Sequence, residues 1–349
     1  MNSRFVILLL AVLLPWGVCA QEAGNGAASQ AATQSLSVRP TIGIASSLRT
    51  QFPGPTFNRV ACDGSGNLYA RRFQGDKGRE PVEEIARTGA LIRSFKVDDP
   101  SLNLSIGDFF VGPQDELYML GWSMEHVHSG GRVYIAQFGR DGSLKSKTQV
   151  ISEEMFPSSL AVFKSGEFLL TGRQGPGDNT PFTGVFASTG RLIAKIYEPE
   201  DEDLRKKADA GDASAHDARL YGNTAVSLGG AVGGWDGNVY VMRRTSPALI
   251  YVISPKGEVV RKLRIDPGDS TSLPEELQSS ADRLAISFAA PDGTRFVKVV
   301  DLKGNDVAEY QMPSEWAGAL ACYDARTFTF LSPGSDGSNY MRIEKSEAR

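Results

Sequence analysis

Short segments of alternating apolar and polar residues recur along the chain from about residue 41. They begin after turns rich in glycine, aspartate and asparagine, and the same turn-then-strand phrase returns at residues 63–69, 114–118, 164–169, 235–240 and, more weakly, 325–329. A period of two is typical of a β-strand with one buried face, and turns this short join antiparallel strands. No helix-length amphipathic pattern recurs between them, which argues against an α/β layering.

Glycines in a second type of turn give the period of the repeat. They are Gly89, Gly142, Gly190, Gly257 and Gly304, and their spacing is close to 50 residues apart from one longer interval. Four strands per unit and a unit of this length are typical of a β-propeller. We therefore predict an all-β fold, a six-bladed β-propeller of four-stranded antiparallel blades, over residues 41–349. The predicted blades are residues 53–99, 100–151, 152–198, 221–266, 267–313 and 317–349.

Two blades need special treatment. The innermost strand of blade 5 has to lie in the polar region 273–280, and blade 6 ends after three strands. The segment Thr41 to Ala45 is predicted to supply the missing outer strand of blade 6. Pairing the two ends of the chain in this way removes two open sheet edges.

The N-terminus has the pattern of an export signal. Arg4 precedes an apolar run at residues 5–14, and Val18, Cys19 and Ala20 offer small residues for cleavage after Ala20. The alternatives are a membrane anchor, for which the run is short, and a lipoprotein modified at Cys19, for which the preceding residues fit poorly. Residues 21–40 are expected to form a flexible low-complexity linker. We expect a secreted or periplasmic protein with no transmembrane segment after signal removal.

The composition of the chain excludes some classes of partner and cofactor. With 37 Lys and Arg against 41 Asp and Glu, the formal net charge is −4, so a nucleic-acid partner is not expected. Three Cys and three His leave little material for a multi-cysteine metal site or a disulfide framework. No metal or other cofactor is predicted, and a monomer is expected.

The repeats resemble those of a known group of proteins. Residues 60–70 (VACDGSGNLYA) with 84–89 (EIARTG), and residues 234–257 of blade 4, are similar to repeats of the NHL-repeat and TolB-like propeller families. The resemblance implies a six-bladed propeller. It does not imply one function, because propellers include enzymes, receptors and scaffolds.

Long loops after the second strand in blades 1 to 3 favour binding at one face of the propeller, here called the loop-rich face. These loops cover residues 71–82, 121–132 and 172–184. Candidate binding residues at the strand ends and in these loops are Arg72, Trp122, His126, His128, Arg173 and Arg244. Arginine forks beside an aromatic ring suit a small anionic ligand such as a carboxylate, phosphate or sugar acid. The alternative is that the arginines pair with nearby acids or face water.

Two places in the sequence carry residues that could bind a metal ion. His126 and His128 alternate as strand residues do, but His216 is the only other histidine, and a solvent-facing pair without metal is the preferred interpretation. Lactonase-like six-bladed propellers hold a cation at the tunnel mouth, where this chain is predicted to place Asn58, Arg59 and Asp108. These offer too few oxygen ligands for a buried cation, so an ion pair between Arg59 and Asp108 is predicted instead.

Two further features of the sequence are expected to have structural roles. The acidic insertion at residues 198–222 carries acids before bases, which suits a short solvated helix that caps the tunnel mouth. Cys62 and Cys322 occupy the same predicted register on neighbouring blades. Equivalent positions around a six-stranded tunnel lie roughly 8–10 Å apart, beyond the reach of a disulfide. Two buried thiols are therefore the preferred prediction, and a disulfide, which an exported protein permits, is the alternative.

The preferred functional hypothesis is an exported, non-catalytic propeller that binds a ligand or an envelope or extracellular protein through its loop-rich face. One alternative is a propeller-type hydrolase, lactonase or lyase with a metal ion at the tunnel mouth. Another is a structural part of a cell-surface assembly tethered through residues 21–38. The sequence shows no nucleophile elbow, phosphate loop or redox cysteine pair.

Overall fold

A computed structural model arranges the chain as six antiparallel four-stranded sheets. The structure describes residues 39–53, 57–72, 80–98, 104–123, 132–151, 155–174, 181–196, 206, 210–211, 230–313, 318–333 and 340–347. The predicted signal peptide, residues 21–38 of the predicted linker and most of the acidic insertion lie outside these ranges. Within the insertion, the Ala210 amide donates to the Lys206 carbonyl at 3.0 Å, a helical hydrogen bond.

The strands group into blades in chain order. Blade 1 contains β2 (Phe57–Cys62), β3 (Leu68–Arg72), β4 (Val82–Ile85) and β5 (Leu91–Phe95). Blade 2 contains β6 (Leu104–Val111), β7 (Leu117–Ser123), β8 (Val133–Phe138) and β9 (Leu144–Gln149). Blade 3 contains β10 (Met155–Val162), β11 (Phe168–Gln174), β12 (Pro181–Phe186) and β13 (Leu192–Lys195).

The other three blades follow the same plan. Blade 4 contains β14 (Ala231–Gly233), β15 (Val239–Arg243), β16 (Ala248–Ile253) and β17 (Val259–Ile265). Blade 5 contains β18 (Leu273–Ser280), β19 (Arg283–Ala289), β20 (Arg295–Asp301) and β21 (Asp306–Gln311). Blade 6 contains β22 (Ala319–Tyr323), β23 (Thr327–Pro333) and β24 (Tyr340–Glu347), with β1 (Ile44–Pro53) as its outer strand. The predicted six-bladed propeller is confirmed, including the position of blade 5's innermost strand.

The core lies between the blades. The second strands, such as β7 and β15, are buried along nearly their whole length because both faces of each blade pack against neighbours. Phe95 of blade 1 meets Phe138 of blade 2 edge to face, with ring centroids 5.7 Å apart. Outer strands such as β9 are exposed and carry lysines, which protect a free sheet edge from pairing with another chain.

The glycines that set the repeat are required by backbone geometry. Gly89, Gly142, Gly190, Gly257 and Gly304 have φ angles between +81° and +90°. A side chain in this left-handed region is strained, so glycine is the residue that such a turn favours. The regular spacing seen in the sequence therefore marks the turn between the third and fourth strands of five blades.

The ring is closed by the N-terminal strand, as predicted, but of the predicted segment Thr41 to Ala45 only Ile44 and Ala45 belong to that strand. The closing strand β1 pairs with β24, with Leu48 opposite Ile343. Thr41 instead bridges Gln311 of blade 5, and the Ile42 amide donates to the Gln311 carbonyl at 2.8 Å. Ile42 is buried there, so this short apolar segment packs against blade 5, and the closing strand begins at Ile44.

Candidate functional site

A central tunnel is lined by the innermost strands β2, β6, β10, β14, β18 and β22, each next to that of the neighbouring blade. Bulges interrupt several of these strands, including β2 near Arg59, β6 near Asp108 and β18 near Glu276. A bulge re-aims a side chain that would otherwise follow the strand alternation. All three charged residues make bonds to other blades.

The predicted ion pair between Arg59 and Asp108 is present. Arg59 Nη1 lies 2.8 Å from Asp108 Oδ2, and both side chains are buried. Arg59 also donates to the carbonyls of Leu160 at 3.2 Å and Ala231 at 3.0 Å. The Leu160 amide donates to the same Asp108 oxygen at 2.8 Å. One arginine from blade 1 thus ties together blades 1 to 4 and crosses the tunnel.

The other half of the ring is tied by residues that the sequence analysis did not assign. Gln278 Nε2 donates to the Leu320 carbonyl at 3.0 Å, and Ser279 Oγ donates to the Gly233 carbonyl at 2.9 Å. The Glu276 carboxylate accepts hydrogen bonds from Ser287 Oγ and from the Leu320 amide. Burial raises the pKa of Glu276 to about 7, although these hydrogen bonds oppose the rise.

Glu276 escaped the sequence analysis because blade 5 could not be aligned with the others on a turn-then-strand phrase. The available signal was its place in the region 273–280, already recognised as the innermost strand. Its carboxylate accepts an amide of the next blade, as the Asp108 carboxylate does from Leu160. The two acids therefore repeat one inter-blade contact at different positions of the ring.

Cys62 and Cys322 form a disulfide, so the prediction of two thiols was wrong. Their Cα atoms are 5.6 Å apart, within disulfide reach. Cys62 pairs with Leu68 in its blade, whereas Cys322 pairs with Thr329, because the turn in blade 6 is one residue shorter. The two cysteines are consequently staggered rather than equivalent, and the spacing argument does not apply to them. The bond joins the first innermost strand to the last.

A cavity of about 600 Å³ opens at one mouth of the tunnel. Its wall consists of turns between first and second strands, with Pro113, Trp235 and Asp324 in three different blades, and Arg59 and Leu277 lie deeper. We call it the turn-face cavity. Since second-to-third loops leave the opposite ends of the second strands, this cavity lies on the face away from the predicted loop-rich face.

Cations and one tryptophan line the turn-face cavity. Trp235 is 73% exposed although it is the bulkiest side chain of its turn. The Arg87 guanidinium lies directly against Gly66. Burial lowers the pKa of Lys345, and the positive charge of Arg87 lowers it further. Among the described residues, Arg87, Lys164 and Lys345 have no hydrogen bond or ion pair.

Three carboxylates line this cavity, and one of them, Asp115, accepts the Gly64 amide at 3.1 Å and pairs with Arg140. Asp63 accepts the amides of Ser65 at 2.9 Å and Asn67 at 2.8 Å. Asp324 accepts the Arg326 amide at 3.0 Å, the Thr327 amide at 2.7 Å and the Thr327 hydroxyl at 2.7 Å. Asp63 and Asp324 thus stabilise their own turns and keep their negative charges, while Arg87, Lys164 and Lys345 supply positive charges to the same cavity.

On the loop-rich face the structure places only part of the predicted set. Trp122 is half-buried, and its ring covers Gly107 of the adjacent strand. Arg244 is exposed and donates to the Pro274 carbonyl at 3.1 Å. Arg72 and Arg173 lie in β3 and β11, but their side chains are outside the described part of the chain. So are the Asn58 side chain and both predicted loop histidines, His126 and His128.

The arginines that precede Arg72 and Arg244 have a different role. Arg71 is buried and donates to the Ile106 carbonyl, and its burial lowers its pKa, against the opposing charges of Glu80 and Asp108. Arg243 is buried with its guanidinium 4.9 Å from the Tyr251 ring centre. Strand alternation thus sends one arginine of each pair into the protein.

No group of three or more His, Cys, Asp or Glu suited to a metal ion occurs in the part of the chain that the structure describes. Within the same residues, no helix has the length and apolar character needed to cross a bilayer.

No protein-family model matches this chain. No curated protein matches it in sequence. Among solved structures, a protein of unknown function from Bacteroides caccae is similar at 12% identity and a TM-score of 0.45, over 73% of this chain and 81% of that one. A chain of the mitotic checkpoint complex is similar at 11% identity and a TM-score of 0.47, over 97% of this chain and 99% of that one.

Proposed function

We propose that the protein is an exported, non-catalytic propeller that binds a ligand, and that the turn-face cavity is the binding site. The cavity itself is the observation that carries this proposal. Its volume of about 600 Å³ suits a small or oligomeric ligand, since ligand sites are usually concave and of roughly 300–1,000 Å³. Trp235 offers an exposed ring at its edge, and such apolar exposure marks contact surfaces.

A binding role is favoured over a catalytic one by the bonds of the charged groups in the tunnel. Arg59 is held by Asp108 and by the Leu160 and Ala231 carbonyls. Glu276 is held by Ser287 and Leu320. A catalytic group breaks and forms hydrogen bonds during a reaction. For Arg59 and Glu276, this would mean breaking a bond that holds a neighbouring blade in place. Their arrangement suits a rigid scaffold for a site above them.

Export is supported by the disulfide between Cys62 and Cys322, because such bonds persist in oxidising compartments. It agrees with the export signal predicted at residues 1–20. We expect the mature chain to begin at Gln21 and to reach the periplasm or the medium.

The loop-rich face is a second candidate surface, for an envelope or extracellular protein. Arg244 is exposed there, Arg72 is the last residue of β3 in blade 1, and Arg173 is the last but one of β11 in blade 3. Trp122 is a weaker candidate for this surface, because its ring packs against Gly107 and is not free to contact a partner.

The test compares variants of the mature chain by thermal unfolding against a panel of sugars, sugar acids, carboxylates and nucleotides. We expect a compound that raises the unfolding midpoint of the wild type but not of Trp235→Ala. Ile151→Ala, which removes another exposed apolar side chain away from the cavity, should keep the full response. Stabilisation retained by Trp235→Ala but lost in Arg244→Ala would move the site to the loop-rich face and contradict the proposal.

A further inference from the structure

The turn-face cavity carries charge on one side and an aromatic surface on another. Arg87 belongs to blade 1 and Lys345 to blade 6, neighbours joined by the disulfide. Trp235 belongs to blade 4, which stands opposite blade 1 in a ring of six. A ligand that uses both sides therefore has to reach across the cavity from blade 1 to blade 4.

The cationic side is arranged for a carboxylate. Arg87 and Lys345 face the same cavity, and each is close enough to Asp324 to interact with its charge. Asp324 cannot serve both cations fully, because its oxygens accept bonds from Arg326 and Thr327. Bringing two cations together is unfavourable unless an anion lies between them. An arginine fork beside a lysine suits the two oxygens of a carboxylate.

The aromatic side is arranged for a ring that also carries hydroxyl groups. Trp235 lies between Gly234 and Asp236, and Asn238 follows in the same turn. The Asp236 carboxylate is fixed by the Asn238 amides at 2.8 and 3.1 Å and by the Tyr240 hydroxyl at 3.1 Å. A flat indole can stack on the C–H face of a pyranose, while Asn238, which also lines the cavity, can bond to its hydroxyls.

From this juxtaposition we propose that the turn-face cavity binds an acidic saccharide chain, with a carboxylate between Arg87 and Lys345 and a sugar ring on Trp235. This inference rests on the proposed function and names the class of its ligand. The ligand would therefore be bound through its charge at blades 1 and 6 and through ring stacking at blade 4.

The experiment uses two probes that differ only at the carboxyl groups, tetragalacturonate and its uncharged methyl ester, titrated into the mature chain by calorimetry. We expect the acid to bind at least tenfold more tightly than the ester, and the preference to shrink as sodium chloride rises from low to high concentration. The double variant Arg87→Gln/Lys345→Met should lose the preference. Trp235→Ala should weaken both probes about tenfold, which keeps the preference intact.

Matched controls are Arg264→Gln and Lys256→Met, which remove one exposed cation each outside the cavity. Both should bind like the wild type. Equal binding of acid and ester, or an unchanged preference in the double variant, would overturn the carboxylate site.

Failure of this inference can be told apart from failure of the proposed function. If neither probe binds but another compound stabilises the protein in a manner that depends on Trp235, the ligand class is wrong and the cavity remains the site. If nothing binds in a manner that depends on Trp235, both are wrong. Circular dichroism of each variant confirms that the all-β fold is kept before any loss is interpreted.

Discussion

Removing the disulfide between Cys62 and Cys322 is the sharpest test of how the ring is held shut. The bond closes a loop with a sequence separation of 260 residues, nearly the whole propeller. In the chain-entropy treatment, a cross-link over a loop this long restricts the unfolded chain by about 5.5 kcal/mol at 25 °C. Residual structure in the unfolded chain reduces this value, so we expect a loss of about 3–5 kcal/mol.

The perturbation is the variant Cys62→Ala/Cys322→Ala of the mature chain, measured by urea unfolding followed by circular dichroism. With an m value of about 3–5 kcal/mol per molar for a chain of this size, the midpoint should fall by roughly 1 M. Wild type in dithiothreitol should fall nearly as far, because it loses the same cross-link without losing the sulfur atoms. The difference between the two measures the packing of the sulfurs alone.

Two results would refute the reasoning. The first is an unchanged midpoint on reduction, since β1 and β24 would then be sufficient to close the ring. The second is two free thiols per mature chain when unreduced protein is denatured and titrated, since the sulfurs would then not be bonded.

Three further outcomes are expected. Arg59→Met should cost about 3–5 kcal/mol because it leaves Asp108 buried without its cation, and adding Asp108→Leu should recover much of that loss in chemical denaturation. Since burial raises the pKa of Glu276 to about 7, its contribution to stability is complete below about pH 4.5 and is lost as pH rises to 7. Glu276→Gln should therefore remove up to about 3 kcal/mol of the pH dependence of the unfolding free energy. Parallel curves of unfolding free energy against pH for the wild type and the variant would contradict this. Gly190→Ala should destabilise more than Gly237→Ala, because both have φ of +82° but only position 190 would press on the Gln149 carbonyl, and equal melting points would disprove this.

Blade 5 shows where sequence information ends. Its strands β19 and β20 were evident from their apolar residues, and its polar innermost strand was found by elimination. What could not be foreseen is that Glu276 would be turned by a bulge towards Leu320 of the next blade. A bulge depends on how two strands pair, and no pattern within a single strand predicts it.

The candidate site shows a similar limit. The sequence directed attention to the long loops and to Arg72, Arg173 and Arg244, because loop length and arginine are visible in a linear chain. Trp235 stood in a short turn that was counted as part of the repeat. Its exposure beside a cavity follows from the arrangement of turns from several blades around one tunnel mouth.

The amino-acid sequence by itself determined the strands, the turns and the number of blades, because alternation and left-handed glycines act over a few neighbouring residues. It also determined that the two ends of the chain meet, since a blade with three strands requires a fourth. Only the tertiary structure decided which side chains meet across the tunnel. Arg59 bonds to residues 49, 101 and 172 positions away, and the disulfide depends on a one-residue difference between two turns. Such contacts depend on stagger and twist, which arise when the blades pack together.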